Sequence, residues 1–266
     1  MELFTPTSIQ RLFQLVEGEW VAHYKGDTVR SVFQPILKKS LTEVYGYEGL
    51  VRITRKGAVI NPTSFFENFT DDTELTNVGA LCCSLHLRNF SLANLSGKVF
   101  LNTHPTMFSR IASDEFSINK VLERITLEGV SMEQVIWEIT EFKESNTDQF
   151  VSGIASFRKA GNQVAIGDYG QKESNEYRVD LLNPNIVKID RSLIREYCTS
   201  LNSFLPDLVK RLYSKGYTIV LEGIENSQEH NALQFMCHSL VQGFHYGRPV
   251  DMKALCRHGC AISAYK

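Results

Sequence analysis

The chain has 266 residues, is 43% hydrophobic and carries a formal net charge of −2 without any basic block. That length can bury one substantial core, and the charge leaves no positive footprint for duplex nucleic acid. The first 20 residues hold no apolar h-region and no apolar run reaches membrane-spanning length, so a cytoplasmic protein without a membrane segment is expected.

In chain order, "SIQRLFQLVEGEW" reads as a helix ahead of the first strand, within a helical extension over residues 1–30 that packs on one barrel domain covering 1–266. Eight short runs rich in Val and Ile follow: "SVFQPI", "VYGYEGLVR", "KVFLN", "QVIWEIT", "QVAIGD", "NIVKID", "TIVLEGIE" and "SLVQG". Only a short polar turn separates the first two, too little for a parallel crossover, so they predict an antiparallel hairpin. Helical patterns lie between most of the later runs. "TDQFVSGIASFRKAG" stops at Gly161, "SLNSFLPDLVKRLYSKG" stops at Gly216, and "SQEHNALQFMCH" opens with Ser227 as N-cap. Strands alternating with helices predict a parallel sheet. Eight of them predict an α/β fold, a TIM-type (β/α)8 barrel with one antiparallel strand near the N-terminus. The six cysteines show no C-x-x-C spacing; Cys82 and Cys83 are adjacent, Cys256 and Cys260 four apart, and all read as reduced thiols.

Chemistry in such barrels sits at the C-terminal rim of the sheet. The strand ends carry Glu48, Asn102, Glu138, Asp168, Lys188, Glu222 and Gln242, with Glu141 and Glu225 three residues beyond two of them. Taken singly, each acid reads as a solvated loop residue or a cap, and Lys188 equally as an ion-pair partner. Together they crowd one mouth. Two like charges 4 Å apart repel by about 4 kcal/mol at an effective dielectric near 20. Hard divalent cations relieve such repulsion, and oxygen ligands select Mg²⁺, Mn²⁺ or Ca²⁺.

The segments "FQPI…GYEGLVR", "LNTHP", "WEITE", "GDYG", "VKIDR", "LEGIE" and "VQGFHYGRP" resemble, in order and spacing, the motifs of the EAL family of bacterial cyclic-di-GMP phosphodiesterases. The likeness runs from about Phe33 to Val250 and reads the signature triplet as Glu48-Gly49-Leu50. It implies a two-metal site that opens one phosphodiester of cyclic di-GMP to give pGpG. It also implies the metal ligands Glu48, Asn102, Glu138, Asp168 and Glu222, and the ligand-binding set Gln34, Glu48, Leu50, Arg52, Asn102, Asp168 and Gln242. Lys188, Glu222 and Glu225 would serve catalysis, and Glu141 would brace a loop. Mg²⁺ or Mn²⁺ would be the cofactor, with Ca²⁺ substituting or inhibiting. Cyclic di-GMP, a second copy of the chain and a regulatory protein are the implied partners.

Three departures stand out. Where the family has two successive acids, this chain has Gly167-Asp168, so the acid that bridges two metals is missing and at most one ion is expected. The next loop, Gln171 to Ser174, replaces a small Thr-Gly-Tyr-Ser run. Gly49 stands where the family has Ala, a mild change that removes one methyl group. A retained pocket without its bridging acid points to a degenerate member that binds cyclic di-GMP or a protein partner, with hydrolysis lost or marginal. An active phosphodiesterase and a nucleotide-independent regulator are the alternatives.

Overall fold

The computed structural model describes residues 9–113, 115–139, 147–171, 174–200 and 202–258. From Phe13 the chain forms strands where a helix was expected. β1 (Phe13–Val16), β2 (Glu19–Tyr24) and β3 (Asp27–Lys38) form an antiparallel meander. Two-residue turns join them, Glu17-Gly18 (φ 50° and 85°) and Lys25-Gly26 (φ 50° and 86°). Two successive positive φ values define the hairpin turn whose twist matches paired strands, and glycine at the second position makes it accessible. The helical reading of "SIQRLFQLVEGEW" overlooked that Glu-Gly pair; within it, only Ile9 and Gln10 are helical among the described residues.

β3 then pairs antiparallel with β4 (Val44–Arg55), the expected hairpin. A third such turn, Lys56-Gly57, leads to the short β5 (Ala58–Ile60). Six further strands run parallel to β4: β6 (Lys98–Thr103), β7 (Val135–Ile139), β8 (Gln163–Tyr169), β9 (Ile186–Ile189), β10 (Thr218–Leu221) and β11 (Leu240–Val241). β11 closes antiparallel on β3, giving a closed barrel of eight strands in which β3 alone runs backwards. β12 (Val250–Asp251) pairs with the outer part of β3.

The helix Thr147–Lys159 follows its sequence pattern, ending before Gly161 at φ 86°. "SLNSFLPDLVKRLYSKG" is not continuous. One helix, Arg191–Ser200, ends there and another, Phe204–Ser214, begins, with Pro206 in its first turn, where a missing N–H breaks no helical bond. The cap of the helix Ser227–Leu233 is Asn226 rather than Ser227; its side chain accepts from Glu229 N at 2.9 Å. Cys82 and Cys83 are buried free thiols, whereas Cys237 is exposed.

Side chains alternate across a strand, and that period places the site. A buried apolar layer inside the barrel takes Ile36, Phe100, Ile136, Ala165, Ile186, Val220 and Leu240, one from each of seven strands, with Tyr45 of β4 packed on it. Each large member contributes about 1.5–3 kcal/mol on burial. Two residues nearer the rim, the same strands present Gln34, Asn102, Glu138, Gly167, Lys188, Glu222 and Gln242. Six of those positions are polar; Gly167 is the blank. The outer faces of the strands pack on the helices through a second, larger core that includes Trp137, Phe157, Val187 and Leu221.

Candidate ligand and metal site

Lys188 organises the mouth. It is fully buried, and its Nζ lies 2.7 Å from both Glu138 carboxylate oxygens, 2.7 Å from Glu222 Oε1 and 3.3 Å from Glu48 Oε2. Burial alone would discharge an amine, but Glu138, Glu222 and Glu48 hold Lys188 well above its ordinary range. Glu48 is fixed from three sides: Asn102 Nδ2 donates to Oε1 at 2.9 Å and Gln242 Nε2 to Oε2 at 2.6 Å, beside Lys188. Burial works to raise Glu48, yet Lys188 and the two amides hold it below the usual carboxylate range. Burial pushes Glu138 well up against the pull of Lys188, with Glu48 and Glu222 adding to the rise. Burial likewise pushes Glu222 up to about 7. One ammonium therefore faces three carboxylates, and burial with mutual repulsion raises Glu138 and Glu222.

An open cleft of about 330 Å³ lies over this cluster. Gln34, Glu48, Leu50, Asn102, Glu138, Asp168, Glu222, Glu225 and Gln242, all read from the sequence, line it. Gln34 Nε2 donates to Gly247 O at 3.1 Å, which holds the glutamine across the mouth. Asp168 is exposed at the rim in the left-handed region (φ 51°), at a bulge that shifts the β8–β9 register between Ile166 and Tyr169. Gly167 keeps the inward direction: an added Cβ there would lie 2.8 Å from Glu138 Oε1.

Arg52 lies two residues beyond the cleft-lining Leu50, on the same face of β4. It is exposed further along β4, and its guanidinium donates to Val51 O at 2.9 Å. Glu141 lies outside the described residues, as do Lys172 and Glu173 of the altered loop. The described part of that loop is tied down by Ser174 Oγ donating to Gly167 O at 2.8 Å and by Gln171 Nε2 donating to Asp190 at 2.8 Å and Ser192 at 2.7 Å. Asp190, Arg191 and Phe244 also line the cleft. Reading strand ends alone missed them, although "VKIDR" and "VQGFHYGRP" contain all three.

Among the described residues, no three Asp, Glu, His or Cys side chains form a ready metal cage. The donor chemistry nonetheless fits a hard divalent cation. The carboxylates outnumber their ammonium, and the buried Gln242 Oε1 beside Glu48 has no hydrogen-bond partner.

A closed barrel with one reversed strand and an acidic, lysine-centred cleft at the C-terminal rim defines a TIM-type barrel protein. The chain matches the EAL domain family over residues 20–249, and it belongs to that family. It is 30% identical over 126 residues, 45% of this chain, to the "Probable cyclic di-GMP phosphodiesterase PdeA" of Escherichia coli K12. It spans 17% to 42% of the lengths of the first curated relatives it matches. Among solved structures it is similar to a standalone versatile EAL protein from Vibrio cholerae O395 in its c-di-GMP bound form, at 23% identity and a TM-score of 0.74, over 84% of this chain and 93% of that one. It is also similar to Klebsiella pneumoniae BlrP1 in a manganese/cy-diGMP complex, at 21% identity and a TM-score of 0.73, over 95% and 62%. At these identities the structural likeness bears on fold alone.

Proposed function

We propose that this EAL domain binds cyclic di-GMP in the acidic cleft and that phosphodiester hydrolysis is lost or marginal. The observation that carries the reading is Gly167. Its missing side chain would point at Glu138 Oε1, 2.8 Å from the first added atom, so the inward layer lacks a carboxylate where two cations would have to share one. Glu48, Asn102 and Glu138 would hold one Mg²⁺ or Mn²⁺, with Asp168 and Glu222 across the mouth; such an ion supplies a Lewis acid toward a phosphoryl oxygen.

The chain's own groups do the remaining work. Lys188 keeps three carboxylates gathered, Gln242 and Asn102 orient Glu48, and Gln34 and Leu50 offer polar and apolar surface to the nucleotide. A homodimer and a regulatory protein partner remain part of the proposal. Calorimetric titration with cyclic di-GMP, with and without Mg²⁺, joined to a single-turnover assay, tests it. Binding with conversion to pGpG far below about 1 per second supports it. Turnover at an ordinary enzymatic rate favours the active phosphodiesterase instead. No binding at high micromolar ligand favours a nucleotide-independent regulator.

A further inference from the structure

Among the described residues, the cleft is lined by six carboxylates, Glu48, Glu138, Asp168, Asp190, Glu222 and Glu225, and by one Lys or Arg side chain, Arg191. Lys188 lies beneath them, committed to three glutamates. Arg52 stands two residues beyond Leu50 on the same face of β4, and its guanidinium turns back to donate to Val51 O at 2.9 Å. A cyclic dinucleotide brings two phosphodiester charges into this negative field. Beyond any bound cation, a guanidinium is the group best suited to receive one, because its planar fork offers several donors at once.

Arg191 is built to reach. Its root is fixed at the start of the helix Arg191–Ser200, where Asp190 Oδ1 accepts from Ser192 N at 2.8 Å and from Gln171 Nε2 at 2.8 Å. Its stem crosses Gly223, where an added Cβ would lie only 2.4 Å from Arg191 Cβ. Its head rests on Glu225, with Nη1 3.3 Å from Oε1, while Arg195 Nη2 holds the other oxygen at 2.9 Å. The Arg191 and Glu225 side chains are 56% and 35% exposed, so the pair contributes little to stability. When Arg191 leaves, Glu225 keeps Arg195. The guanidinium can therefore exchange one anion for another without stranding a buried charge.

We propose that Arg191 swings from Glu225 to contact a phosphodiester of the bound nucleotide, as the cleft's own anion contact. This rests on the reading that the cleft takes cyclic di-GMP.

Titration of the full chain with cyclic di-GMP in saturating Mn²⁺ tests it, with Mn²⁺ affinity measured alongside. Arg191→Gln should weaken nucleotide binding about tenfold, the scale of one charge-assisted contact, and flatten its salt dependence. Mn²⁺ affinity should not fall. Arg191→Lys should lie between, because it keeps the charge and loses the fork, and Arg195→Gln should stay within about twofold. Equal nucleotide affinity and salt dependence in wild type and Arg191→Gln overturns the assignment alone. A wild type that binds no cyclic di-GMP brings down the functional reading, and this contact with it.

Discussion

The imidazole of His86 occupies the space that a side chain at Gly49 would need. An added Cβ there would lie 2.8 Å from His86 Cγ and 3.1 Å from its Cβ. His86 is buried, with Nδ1 2.9 Å from Ser31 Oγ and its ring edge-on to Phe33. Glycine in the signature triplet is thus not the mild loss of a methyl that the sequence suggested. It is half of a packed pair, and β4 carries Glu48 on the opposite face one residue earlier.

Gly49→Ala should therefore destabilise the protein by about 1–3 kcal/mol, the usual scale of overpacking. Adding His86→Ala to the same chain should restore part of that loss, although His86→Ala alone destabilises by leaving a cavity. Urea unfolding of the four proteins of this cycle measures the coupling, and strictly additive losses would disprove the pair.

Gly167→Asp adds a carboxylate to the inward layer beside Glu138. Its Cβ meets the far end of Glu138, which must turn aside. Without metal the variant should lose stability through like-charge repulsion, and Mg²⁺ or Mn²⁺ should stabilise it more than wild type. Conversion of cyclic di-GMP to pGpG should rise above the wild-type level. Melting temperatures with and without metal, and single-turnover product formation, report the two effects separately. A variant stabilised by metal yet silent in turnover would shift the defect to the loop containing Gln171 and Ser174.

Lys188→Met removes the ammonium that Glu48, Glu138 and Glu222 share. Breaking such a cluster costs about 3–5 kcal/mol when the remaining groups are charged. The loss should be larger at high pH than at low pH, because Glu138 and Glu222 can take up protons in acid. Denaturant unfolding at both ends of that range checks the difference.

Burial pushes Glu222 up to about 7, against the pull of Lys188. A carboxyl group with a higher pKa in the folded protein stabilises the fold while protonated. That contribution is complete below the ordinary carboxylate range and disappears as pH rises through about 7. Metal needs the deprotonated form, so Mn²⁺ affinity should climb between about pH 6 and pH 8 with proton release. Calorimetry in buffers of different ionisation enthalpy counts the protons, and pH-independent affinity would exclude Glu222 from the metal's surroundings.

Most of the barrel and most of the cleft can be read from the sequence for one reason. Strand period fixes direction, so a polar residue two places beyond a buried Phe100, Ile136 or Val220 must face the same interior. What escaped the reading depends on contacts between segments distant in the chain, or on local turn chemistry. Glu17-Gly18 turned an apparent amphipathic helix into two strands. The meaning of Gly49 resides in His86, 37 positions later on a separate helix. Arg191 enters the cleft from the first turn of a helix, past the point where strand ends stop.

The reversed strand also sets an order of assembly. β1 to β5 form a run of hairpins whose partners are close in sequence, and local pairings of this kind form fastest. The last seam joins Leu37 and Lys38 of β3 to Val241 and Leu240 of β11. Loop-closure entropy delays such distant contacts, so a nascent chain carries its early meander with an open edge until β11 arrives. The same seam brings Gln242 to Glu48, residues 194 apart in sequence. Ligand-competent geometry should therefore appear only at the final closure. On this schedule, a ligand of the cleft would report completed folding.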